Sequence, residues 1–133
     1  MGLLVDTSVW SLAFRRDVPT SSPEVKLLVK AIDSADEIYS TGIILQELLQ
    51  GFTGPNAHKA LVERFASIPM LVPETSDYIE AAELRNKCRR KGVQAGTIDA
   101  LIAQLSLRYK LALLTTDKDF RYMSKAVKLT FAK

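Results

Sequence analysis

The sequence is short of several kinds of chemistry. Among its 133 residues stand one cysteine, Cys88, and one histidine, His58. A lone cysteine allows no internal disulfide and no cysteine-rich zinc site. A lone histidine would leave any Ser–His or Cys–His mechanism hanging on a residue that reads as part of a helix surface. Neither a G-x-x-x-x-G-K-[ST] nor a G-x-G-x-x-G pattern occurs, so a glycine-built nucleotide cradle is not expected. Apolar runs such as "LALL" and "GIIL" are too short to cross a bilayer. The N-terminus lacks the basic start and long apolar stretch of a secretory signal. Gly2 follows Met1, but Asp6 stands where a myristoylation signal wants Ser or Thr. A cytoplasmic protein is expected, with residues 1–133 forming a single domain large enough to bury a core without disulfides or structural metal.

What is present is more specific. The net charge of +3 is mild, but it is unevenly distributed. "RNKCRRK" carries five cations in seven residues: Arg85, Lys87, Arg89, Arg90 and Lys91. Such a run suits the last turn of a helix, whose carbonyls favour cations and which Gly92 would end. It equally suits a phosphate-contacting patch. Arg15 and Arg16 form a second candidate patch.

Strand-like and helix-like segments alternate. Leu3–Val5 reads as a strand, followed by a short helix around Val9–Phe14 and a polar loop, "RRDVPTSSP". Pro23 opens a helix with Val25, Leu28, Val29 and Ile32 at helical spacing. "EIYST" reads as a strand and "IILQELLQ" as a helix ended by Gly51. Asn56 is expected to cap the next helix, "AHKALVERFAS", and "PMLVP" to form a short strand. Ser76 is expected to cap a long helix with Ile79 and Ala82 on its core face. Thr97 should cap "IDALIAQLSLRYK", whose core stripe reads Ile98, Leu101, Ile102, Leu105 and Tyr109. The strand "LALLT", a short helix around Phe120–Met123 and a last strand, "VKLTF", complete the chain. This alternation predicts an α/β domain with a mainly parallel sheet.

In open parallel sheets, ligands bind beyond the carboxyl ends of the strands. Two apolar runs end there in acids and hydroxyls: "LLVDTS" delivers Asp6, and "LLTTDKD" delivers Asp117. Asp6 could instead be a helix cap. Glu47 falls between Ile43 and Gly51 on a helical wheel, at the edge of the apolar arc, while Gln46 and Gln50 look toward solvent. Asp99 lies in a first helical turn, where an acid complements the dipole, but its face continues with the small residues Ala103 and Ser106. Should these four carboxylates converge, they require raised pKa values or a counter-charge. Oxygen ligands without histidine or thiolate select Mg²⁺ or Mn²⁺ over zinc. Within "TTDKDF", a Thr116 cap with Asp119 at the third helical position would approximate a capping box and leave Asp117 as the metal-facing acid.

The segments "LLVDTSVW", "TGIILQELLQG", "TIDALIAQLS" and "LLTTDKDF", in this order and spacing, resemble PIN-domain ribonucleases, and among them the toxin subunits of the VapBC toxin–antitoxin type. The resemblance implies a five-stranded parallel sheet with helices on both faces. It implies metal-coordinating acids at Asp6, Glu47, Asp99 and Asp117, with supporting hydroxyls from Thr7 or Ser8 and from Thr115; Asp119 is a possible additional acid. The implied activity is a metal-dependent endoribonuclease acting on structured RNA such as transfer or ribosomal RNA, held by a cognate VapB-like antitoxin and commonly a homodimer. The RNA contacts would come from Arg15, Arg16, Arg85, Arg89 and Arg90.

Three rivals remain. One is a PIN-like RNA-binding module without catalysis, which would have no need to maintain four repelling acids. Another is an RNA-processing PIN nuclease outside any toxin–antitoxin pair. The third is a phosphoryl-transfer enzyme of the haloacid dehalogenase type. That enzyme wants a second Asp two residues after the first, where this chain has Ser8.

Overall fold

The computed structural model of the chain describes residues 1–15 and 22–133. The elements in chain order are β1 (Leu3–Val5), α1 (Thr7–Phe14), α2 (Pro23–Asp33), β2 (Ile38–Thr41), α3 (Gly42–Gly51), α4 (Pro55–Phe65), β3 (Met70–Leu71), α5 (Thr75–Arg90), α6 (Thr97–Arg108), β4 (Ala112–Leu114) and α7 (Lys118–Met123). The sheet is parallel, in the order β3-β2-β1-β4. Central β1 pairs Leu3 with Ile38 on one side and with Ala112 on the other. Leu4 and Val5 are fully buried, as a parallel strand covered by helices on both faces must be.

The sheet has four strands where five were expected. "VKLTF" contributes one isolated parallel bridge, Leu113 with Phe131. Leu113 donates to the Thr130 carbonyl and accepts from the Ala132 N–H, both at 2.8 Å. Just before it, the Leu129 N–H bonds to the Val127 carbonyl two residues back, a tight turn that bends the segment away from a longer ladder.

The starts of α4, α5 and α6 differ from expectation. Gly54, not Asn56, precedes α4, because Pro55 takes the first helical position that suits its fixed φ. α5 begins after Glu74 rather than Ser76, and Asp77 accepts from the Glu74 N–H at 2.8 Å. α6 begins after Gly96, so Thr97 is its first residue instead of its cap. As expected, Gly92 ends α5. Its φ of +73° is the left-handed cap, and the Val93 N–H reaches the Cys88 carbonyl at 2.8 Å.

Core faces also differ from expectation. In α2, Val25, Leu28 and Ala31 are buried while Val29 and Ile32 are exposed. In α5 the buried stripe is Asp77, Ala81, Leu84 and Cys88; Ile79 and Ala82 face outward. In α6, Ala100, Ala103 and Ser106 go inward beside Ile102 and Leu105, leaving Ile98 and Tyr109 exposed. The small residues let α6 lie close to its neighbours, and the expected stripe is displaced as a result. α5 and α6 pack antiparallel: Asp77 at the start of α5 meets Arg108 at the end of α6, and Arg85 reaches Ala95 just before α6 begins. Among the described residues, no helix is long and apolar enough to cross a membrane.

Candidate active site

The carboxyl ends of β1 and β4 are joined by hydroxyls. Asp6 lies directly beyond β1, and its N–H bonds to the Leu114 carbonyl at 2.9 Å. It occupies the N-cap position of α1, but its side chain makes no capping bond. Instead, Asp6 Oδ2 accepts from Ser8 Oγ at 2.8 Å and from Thr115 Oγ1 at 2.9 Å. Those hydroxyls are fixed in turn: the Thr116 N–H donates to Ser8 Oγ and the Asp117 N–H to Thr115 Oγ1, both at 3.0 Å. Two donors on one oxygen set the orientation of a buried carboxylate and leave the other oxygen clear of them. Across from it, Thr7 Oγ1 donates to Glu47 Oε1 at 2.8 Å, tying α1 to α3. Glu47 is half-buried, whereas Gln46 and Gln50 are exposed and bonded to each other, as the helical wheel indicates.

Asp99 enters from the first turn of α6, and Asp117 and Asp119 from the start of α7. One carboxylate oxygen from each of these three lies within 4.8 Å of the others. Asp117, not Thr116, caps α7: its Oδ1 accepts from the Asp119 N–H at 2.9 Å. Asp119 therefore sits at the second helical position, and the capping-box arrangement does not form. With the chain extended at Asp117 and helical at Asp119, both carboxylates converge on Asp99. The signal in the sequence was the Asp-x-Asp spacing at a helix start, read there as a division of labour.

Asp99 has no hydrogen-bond donor among the described residues and lies half-buried among like charges. Burial, then the charges of Asp6, Asp117, Asp119 and Glu47, push its carboxyl up to about 7. All five acids thus act on one spot. The donor set is carboxylate oxygen alone, which fits a hard divalent cation of the Mg²⁺ or Mn²⁺ kind and does not suit zinc. Asp99, Asp117 and Asp119 are close enough to share such an ion, with Asp6 and Glu47 held beside them.

The basic residues divide. Arg85 is half-buried and its Nε donates to the Ala95 carbonyl at 2.7 Å, so it holds the loop that delivers α6. Arg89 and Arg90 are exposed at the same end of the helix pair as Asp99 and form no ion pair among the described residues. Arg15 stands at the opposite end of α1 from Asp6, on a groove of about 660 Å³ that Phe14, Phe52 and Leu61 also line. Arg16 lies outside the described residues.

Comparison with known proteins agrees with this fold. Residues 3–126 match the family described as PIN domain. Ribonuclease VapC11 of Mycobacterium tuberculosis is 30% identical, over 98% of this chain and 97% of its own length. A VapC ribonuclease of Mycobacterium bovis matches equally. Among solved structures, VapBC2 from Rickettsia felis, bound to a DNA fragment from its promoter, superposes with a TM-score of 0.77 at 18% identity, covering 99% of this chain and 98% of that one. VapC20 of Mycobacterium tuberculosis, a sarcin–ricin loop cleaving toxin, gives 0.71 at 16% identity over 98% of both chains. At these identities the structural likeness speaks to the fold.

Proposed function

The chain belongs to the PIN domain family, in its VapC ribonuclease branch, and on that footing we propose that it cleaves phosphodiester bonds in RNA with Mg²⁺ or Mn²⁺ held by its acids. The observation that carries this reading is the convergence of Asp99, Asp117 and Asp119, with Asp6 and Glu47 adding their charge. A bound divalent cation would supply Lewis-acid stabilisation of charge developing on the phosphate and would lower the pKa of water. Asp99, Asp117 and Asp119 would hold it, with Asp6 and Glu47 as further oxygen donors.

The chain's own residues do the positioning. Ser8 and Thr115 fix Asp6, and Thr7 fixes Glu47, so the acids do not swing apart under their mutual repulsion. Asp117 serves two purposes, capping α7 through Oδ1 while standing in the cluster. Arg89 and Arg90, exposed at the same end of the α5–α6 pair as Asp99, are assigned phosphate contacts.

The biological role that follows is that of the toxin in a VapBC-type pair, one PIN domain spanning the chain, partnered by a VapB-like antitoxin and forming a homodimer. Structural neighbours such as VapBC-1 from nontypeable Haemophilus influenzae are such pairs. The hydroxyl lattice around Asp6 and Glu47 weighs against a binding module without catalysis, since such a module gains nothing from orienting mutually repelling acids.

The test is cleavage of a transfer RNA mixture with Mn²⁺, with Mg²⁺, and with excess chelator, alongside circular dichroism. Cleavage that needs the ion, with the fold intact in chelator, supports the reading. Undiminished cleavage in chelator overturns it.

A further inference from the structure

Five carboxylates repel the phosphodiester they are to receive, so affinity for RNA has to come from surfaces beside the acids. The end of α5 is one such surface. The other is the outer face of α7, whose N-cap is Asp117 itself. Lys118, Arg121, Tyr122 and Lys125 recur at the three- and four-residue spacing of one helix face, continued past the last turn, and all four are exposed. The opposite face buries Phe120 and Met123 completely. None of the three cations forms an ion pair among the described residues. The one acid of the helix, Asp119, belongs to the cluster with Asp99 and Asp117.

The arrangement is more than a solvated helix. The Arg121 guanidinium lies 3.9 Å from the centre of the Phe131 ring, so its head is held against an aromatic surface while it remains exposed. Tyr122 is 49% exposed, with Lys125 Nζ 5.3 Å from its ring centre. A half-exposed aromatic ring among unpaired cations, about 7 Å along the helix from Asp117, matches what single-stranded nucleic acid requires: a surface for a base to stack on and charges for the phosphates on either side. A base inside a duplex has both its faces stacked already.

We infer that the outer face of α7 binds single-stranded RNA beside the acids, with Tyr122 stacking an unpaired base and Lys118, Arg121 and Lys125 contacting its phosphates. The inference rests on the ribonuclease reading and adds to it the surface, and the aromatic ring on it, that would hold the strand beside the acids.

The probe is a short fluorescent oligouridylate, with a duplex RNA of equal length as comparison. Binding is measured by anisotropy in chelator, where no cleavage occurs. Tyr122→Ala should weaken oligouridylate binding about tenfold, while Tyr122→Phe stays within roughly twofold, because the ring and not the hydroxyl does the stacking. Duplex binding should change less. With Mn²⁺ present, Tyr122→Ala should raise KM and leave kcat nearly unchanged. Combining Arg121→Ala with Lys125→Ala should lower the salt slope of binding, by about 0.7 for each single-strand phosphate that is no longer neutralised. Melting curves establish that each variant is folded.

Wild-type binding by Tyr122→Ala, or an equal loss in Tyr122→Phe, overturns the stacking role while wild-type cleavage leaves the ribonuclease reading standing. A wild-type protein that neither binds oligouridylate nor cleaves RNA overturns that reading, and this inference with it.

Discussion

The antiparallel pair α5–α6 carries an aspartate of interest at each end, and the two are in opposite circumstances. At one end Asp77 is fully buried. Burial alone would raise its pKa, but the Glu74 N–H and the Arg108 guanidinium reverse this and hold its carboxyl below the usual range. At the other end Asp99 is only half-buried, lacks any donor among the described residues and faces four carboxylates, so its carboxyl is raised. A buried acid with its counter-charge built in is part of the scaffold. An acid surrounded by its own kind leaves the counter-charge to be supplied from outside. That contrast separates structure from function more sharply than burial does.

The largest effect should come from the uncompensated end. Asp99→Asn or Asp117→Asn is expected to lower cleavage on the order of a hundredfold or more, with the fold retained. Asn caps a helix about as well as Asp, so Asp117→Asn should leave α7 intact. Single-turnover cleavage assays paired with melting curves check both. Asp119→Asn should also lower cleavage, by roughly tenfold or more. Unchanged activity there would return Asp119 to the role of a dipole-complementing acid.

How far the sequence revealed this contrast depended on what each residue is bonded to. Asp6, Glu47, Asp99 and Asp117 were legible because they follow strand ends or lie in helices with small or mixed faces. The alternation of elements pointed to a parallel α/β sheet, although its fifth strand shrank to the Phe131 bridge. Asp77 was not legible. Its importance depends on Arg108, 31 residues away, and no local pattern announces such a pair. Missing it also displaced the α5 core stripe, because the true stripe is headed by this buried acid. The part of Asp119 in the cluster was hidden by a choice between two adjacent caps, Thr116 and Asp117, that local propensity leaves nearly balanced.

A smaller effect should follow from loosening the acids without removing them. Thr115→Val deletes one donor to Asp6 and the acceptor for the Asp117 N–H. Cleavage should fall about tenfold, with a larger loss at low Mn²⁺ than at saturation. A metal titration of activity distinguishes this from a plain folding defect, which saturating metal would not relieve.

At the compensated end the effect should be on stability alone. Asp77→Asn removes the partner of Arg108 and weakens the start of α5. The melting temperature should fall by about 5–10 °C, the lower part of the range for a broken buried pair because the Arg108 side chain is 31% exposed. Specific activity of the folded fraction should be unchanged. The Asp77 contribution is present above its unfolded pKa, near 4, and is lost as acid protonates the folded carboxyl below that point.

Asp99 has the opposite sign, and this provides the most direct test of the account. Between the unperturbed range near 4 and about 7, the folded protein holds a proton that the unfolded chain has released. Metal-free stability should therefore fall as pH rises through that window. The decisive measurement is the melting temperature of wild-type protein and Asp99→Asn from pH 5 to pH 8, with chelator and with Mn²⁺. The account predicts that the metal-free wild type loses stability with rising pH and that Asp99→Asn loses less. Mn²⁺ at about a hundredfold above its Kd should raise the wild type by on the order of 10 °C at pH 8 and the variant by much less. A metal-free wild type as stable at pH 8 as at pH 5, and indifferent to Mn²⁺, would contradict the claim that these acids are assembled for a cation.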